Sequence, residues 1–95
     1  MTNLTLPQLE SLRRHLAVYV LGWEWTELDN EYFDPTTDAN QTKLCRDTFD
    51  RIEIGKNLEI YYCRIGNALS HPEETGTDEL ITQCICMGKA TGWEE

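Results

Sequence analysis

Leu9, Leu12, Leu16 and Val20 recur at helical spacing, with Leu21 beside them, while Glu10, Arg13 and Arg14 fall on the remaining surface. This pattern predicts a helix over Leu6–Leu21. Thr5 is placed to cap it, Pro7 sits in the first turn, and Gln8 stands three residues after the cap. Gly22 is placed to end it. The next residues alternate: Trp23, Trp25 and Glu27 on one face, Glu24, Thr26 and Leu28 on the other. Aromatic and β-branched side chains favour a strand there, Asp29-Asn30 reads as a turn, and Glu31-Tyr32-Phe33 returns as a short second strand that Pro35 stops.

Thr36, Thr37 and Asp38 are alternative caps for a second helix running to about Ile52. Leu44, Cys45, Thr48, Phe49 and Ile52 form its apolar stripe. Gly55-Lys56-Asn57 reads as a loop, and Leu58–Ile65 as a strand with Leu58, Ile60 and Tyr62 on one face and Glu59, Tyr61 and Cys63 on the other. Gly66-Asn67 marks a turn, Ala68–Ser70 a short further strand, and His71–Gly76 a polar loop. Thr77 caps a third helix, whose buried stripe is Leu80, Ile81, Cys84, Ile85 and Gly88, with Gly92 closing it before Trp93. The expected fold is one α+β domain, a small antiparallel sheet packed with three helices, in the order α-β-β-α-β(-β)-α.

Charge changes this picture most. Seventeen acidic residues against eight basic ones give a net charge of −9. Such a field repels phosphate backbones and anionic lipid heads, so direct nucleic-acid and membrane binding are not expected. No apolar run approaches the ~20 residues of a membrane span, and Met1 opens a polar segment rather than a signal peptide, so a cytoplasmic location is expected. Glu24, Glu27, Asp29, Glu31 and Asp34 cluster around the expected hairpin with no basic residue between them. A solvated surface would explain them; so would a face that docks on a host protein with a basic surface or groove. Trp23 or Trp25 and one of Tyr61 and Tyr62 are candidate anchors, although packing of the first helix on the sheet is the better account of the tryptophans.

Candidate chemistry is sparse. Cys84-Ile85-Cys86 lies in an expected helix, where residues two apart point away from each other, and neither Cys45 nor Cys63 supplies a second metal hook. The four cysteines read as buried, reduced thiols. His15 and His71 have no nucleophile arrangement around them, and there is no phosphate-binding glycine loop and no nucleophile elbow. No catalytic residue, metal or cofactor is therefore assigned.

Val20-Leu21-Gly22-Trp23-Glu24-Trp25, Tyr32-Phe33-Asp34-Pro35, Thr37-Asp38-Ala39 and Ile81–Ala90 together resemble the phage ABA sandwich family. The cysteines and the short fourth strand depart from it. The resemblance implies a phage or prophage accessory protein with helices on an antiparallel sheet, and no catalytic residues. Joined to small size and acidity, it gives the expectation of an inhibitor that binds and blocks a host factor, in the manner of an anti-CRISPR protein. The alternative is an oligomeric binder that sequesters a nucleotide signal, which would need Arg13, Arg14, Arg46, Arg51 or Arg64 gathered at one site.

Overall fold

The computed structural model describes residues 4–25, 32–66 and 72–94. It is a small α+β fold in which three helices accompany a three-stranded antiparallel sheet.

Helix α1 spans Leu6–His15 and opens with the reciprocal cap its sequence predicts: Thr5 Oγ1 accepts from the Gln8 backbone N–H at 3.3 Å, and Gln8 Oε1 accepts from that of Thr5 at 2.9 Å. It runs on as a π-helical turn over Leu16–Val20. The Leu21 N–H reaches back to the Leu16 carbonyl, and Trp23 to Ala17, around Gly22 at φ +73°. Glycine accepts that left-handed backbone without a Cβ penalty.

Helix α2 covers Ala39–Arg46. Of the three candidate caps, Asp38 serves, accepting from the N–H groups of Asn40 and Gln41. The helix stops six residues short of the expected Ile52. The Thr48 hydroxyl takes the Cys45 carbonyl, and Thr48 and Phe49 close tight turns. Ile52 is instead the first residue of strand β1 (Ile52–Asn57), which includes the expected loop Gly55-Lys56-Asn57. Six paired positions against β2 (Ile60–Ile65) outweigh the local helical pattern. Strand β3 is Glu73–Gly76, where a polar loop was expected. It pairs with β2, Tyr62 opposite Thr75 and Arg64 opposite Glu73, giving the order β1-β2-β3. Ala68–Ser70, the expected further strand, lies outside the described residues.

The expected hairpin before α2 is corrected at its described ends: Trp23–Trp25 and Tyr32–Phe33 are in no strand, and residues 26–31 lie outside the described ones. The Trp23 ring meets Phe33 edge-on, 5.0 Å between centroids, and the Gln41 side chain grips the Tyr32 carbonyl and the Asp34 N–H. These side-chain clamps replace a ladder.

Helix α3 (Glu79–Ala90) is capped by Asp78, one residue after the expected Thr77. Its residues Thr82 to Gly88 are all buried. A helix buried all round needs packing on every side. The sheet supplies one side, where the Cys86 thiol donates to the Cys63 carbonyl, and α1 and α2 supply others. The Arg46 guanidinium donates to Gln83 Oε1 from α2, and the Trp93 indole N–H to Ser11 from beyond the end of α3. Lys89 pairs with Glu74 on β3 at 3.0 Å.

The β1–β2 turn consists of Leu58 and Glu59, with Leu58 at φ +59°. That backbone region disfavours a leucine by about 1–2 kcal/mol, and Leu58, 89% exposed, gains no packing in return. Leu58→Gly is therefore expected to be neutral to about 1 kcal/mol stabilising, strain relief outweighing the entropy glycine adds to the unfolded chain. Denaturant melts check this; a loss of stability would show that Leu58 packs after all.

Candidate functional site

The five carboxylates of the acidic segment divide in the structure. Glu24 is exposed just beyond α1, and Glu27, Asp29 and Glu31 lie outside the described residues. Asp34 is half-buried and turned inward: its carboxylate accepts from the backbone N–H and hydroxyl of Thr36, and its carbonyl from the N–H groups of Thr37 and Asp38. It organises the turn that leads into the Asp38 cap, a local role that sequence spacing does not reveal. Trp25 is half-buried, with the Arg13 guanidinium 5.4 Å from its ring centroid, and Trp23 stays partly exposed. Trp23 thus joins the chain after the π-helical turn to Phe33, and Trp25 folds back onto α1 through Arg13.

The arginines are dispersed. Arg13 lies against Trp25, Arg46 is held by Gln83, and Arg64 pairs with Glu53 at 2.8 Å. Arg51 and Arg64 border one shallow concavity, with Asp50 and Glu53 beside them.

All four cysteines are free and buried. Burial pushes the Cys45 thiol up to about 12 and raises Cys84 as well. Hydrogen bonding with Cys63, then burial, raises Cys86. Such thiols are poor nucleophiles and poor metal ligands. Among the described residues, no group of three or more His, Cys, Asp or Glu side chains is placed to hold a metal ion. The native protein is expected to resist a thiol-directed reagent at all four positions and to react fully once unfolded; colorimetric titration of free thiol checks this.

His15 stacks on Tyr19 at 4.6 Å, and its Nε2 lies 2.8 Å from Thr91 Oγ1. The Thr91 hydroxyl donates its one proton toward the Met87 and Gly88 carbonyls, so Nε2–H of His15 is the donor. Burial lowers the His15 pKa, and the Thr91 backbone opposes it only in part. A depressed folded-state pKa means stability present above the unfolded value and lost as pH falls through the folded one. As pH falls below the ordinary histidine value of 6.5, His15→Gln should therefore flatten the decline in stability expected of the parent protein. Denaturant melts across that range test it, with His71→Gln as the control for the second histidine.

The outward face of the sheet carries a surface feature not anticipated from sequence. Tyr62 and Arg64 of β2 lie across from Gly55 and Glu53 of β1 and from Thr75 and Glu73 of β3. A Cβ at Gly55 would stand 2.6–2.8 Å from the Tyr62 ring, so glycine is what lets this ring lie down across β1. The Arg64 guanidinium sits 5.5 Å from the same ring while it pairs with Glu53. Asn57, Leu58, Ile60, Tyr62, Arg64, Glu73 and Thr75 border an open concavity of about 600 Å³. Leu58 was assigned to a strand in the sequence, and Ile60 to its buried or exposed face without distinction. The turn escaped detection because neither Leu58 nor Glu59 is a residue that a two-residue hairpin turn favours.

Among the described residues, no helix is long and apolar enough to cross a membrane. No family model matches the chain, and no curated protein or solved structure matches it.

Proposed function

We propose that the protein acts by binding: it docks on a basic groove of a bacterial host protein and blocks it, as a phage or prophage anti-defence inhibitor of the anti-CRISPR kind. The observation that carries this reading is the unequal engagement of the two signs of charge. Lys43, Arg46, Arg64 and Lys89 are each held by a polar or acidic side chain, and Arg13 and Lys56 lie over the Trp25 and Tyr61 rings. Arg14 and Arg51 stand exposed, against the exposed carboxylates of Glu10, Asp50, Glu59, Glu73, Glu79 and Glu94. A surface of this kind attracts cationic partners from a distance and speeds their capture. The acidic segment from Glu24 to Asp34 is assigned to that contact, with Glu27 and Glu31 as the charges whose reversal tests it.

The nucleotide-sequestering alternative has weaker support: among the described residues Arg51 and Arg64 share a concavity, but Asp50 and Glu53 line it too and Glu53 pairs with Arg64. The test is the double reversal Glu27→Lys with Glu31→Lys, compared with the parent by surface plasmon resonance on the captured partner at two salt concentrations. Slower association and a flatter salt dependence, with the fold intact, support the reading; unchanged association at both salts removes this segment from the interface.

A further inference from the structure

We infer that the outward face of the sheet, led by Leu58, is a docking surface for a basic protein segment with apolar side chains at its centre. This deepens the proposed function, because it rests on the same reading of a cationic partner and adds what that partner must present.

Two independent observations lead there. The first is conformational. Leu58 holds a left-handed backbone at the tip of the β1–β2 turn, where glycine or asparagine is the easy choice, and its side chain is 89% exposed. Backbone strain kept at a position that contributes nothing to the core is what a binding tip looks like. The second is the face behind it. Ile60, 43% exposed, and Tyr62 continue the apolar line from Leu58 into the concavity, and the helices pack against the opposite side of the sheet. The Tyr62 ring is already fixed over Gly55 and beside Arg64, so it loses little freedom on binding.

Charge selects the occupant. On this face Glu53 and Glu73 flank Arg64, which lines the concavity and pairs with Glu53, and Glu59 stands beside Leu58; Lys56, on the other side of β1, lies over the Tyr61 ring. A second copy of this chain would bring the same carboxylates against one another, and an anionic ligand would meet them directly. A segment whose leucine or isoleucine side chains are flanked by lysine or arginine satisfies both the apolar strip and its acidic rim.

The test is an amide chemical-shift titration of the intact protein at low salt with three synthetic peptides. One has a leucine-rich centre flanked by lysines. In the second the lysines become glutamates, and in the third the leucines become serines. The first peptide should give saturable shifts at Gly55, Leu58, Ile60, Tyr62 and Thr75, and the other two should bind at least about tenfold more weakly. Leu58→Asn, which suits the left-handed backbone, should leave the melt unchanged and weaken the first peptide by about tenfold or more. Unchanged binding by Leu58→Asn overturns the inference, as does a response as large from the glutamate peptide, or sedimentation showing a dimer that covers this face. Saturable shifts elsewhere on the surface overturn this inference while leaving a cationic partner in place. No response to the lysine peptide anywhere overturns both.

Discussion

Truncating Leu16 or Ile85 to alanine is expected to cost about 2–5 kcal/mol each, the range for removing a buried Leu or Ile side chain. Leu16 opens the π-helical turn and is wholly buried; Ile85 sits mid-way along α3 at 2% exposure. Both belong to one apolar cluster with Leu12, Ala17, Met87 and Trp93, so neither cavity is open to water. The lost transfer energy and the unfilled space then add. A domain of this size has a total stability of the order of 5–15 kcal/mol, so either change consumes a large part of it. Denaturant melts measure the effect. Values within about 0.5 kcal/mol of the parent would place these residues on the surface and contradict the packing described.

Gly88→Val is the second large effect, and its sign is a contest. Helix propensity favours almost any residue over glycine inside a helix, by up to about 1 kcal/mol. Packing opposes it. A Cβ at Gly88 would stand 2.7 Å from Leu12 Cδ1 and 3.2 Å from Trp93 Cβ. Leu12 is fully buried and Trp93 nearly so, which leaves little room to retreat. Packing should win, with a net loss of roughly 3 kcal/mol for valine. Leu12→Ala in the Gly88→Val background should recover part of that loss, whereas two independent defects would simply add. Equilibrium unfolding of the four proteins in this cycle decides it, and a stabilised Gly88→Val would mean that α1 and α3 do not meet at this glycine.

How much of this was legible in the sequence depends on how local the determining interaction is. The α1 cap is complete within Thr5–Gln8 and Gly92 lies just beyond α3, so these helices could be read directly, although the α3 cap falls on Asp78 rather than on the expected Thr77. Strand β1 could not, because Ile52 and Ile54 take their conformation from Cys63 and Ile65 across the ladder. Trp23, Trp25, Tyr32 and Phe33 carry strand-forming side chains without forming strands. The Trp25 ring lies against Arg13 and the Trp23 ring against Phe33, while Tyr32 stays exposed, and β propensity measures fit to a pleated surface rather than a fixed backbone preference. The even burial of Thr82–Gly88 likewise exceeds the single stripe expected, since α3 meets the sheet on one side and α1 and α2 on others. At the candidate site, the charge excess was plain from composition. The structural duty of Asp34 and the strain at Leu58 depend on turn geometry that residue types do not encode.

The central claim is that the protein works by capturing a cationic protein. Its most direct measurement is affinity capture from bacterial lysate on the immobilised parent protein, with the bound fraction eluted by a salt step and examined for both protein and nucleotide. The expected result is one or a few basic proteins released by salt, whose association slows as salt rises and which nucleic acid displaces. A bound nucleotide with no protein, or retention of duplex DNA by the protein alone, would contradict the account.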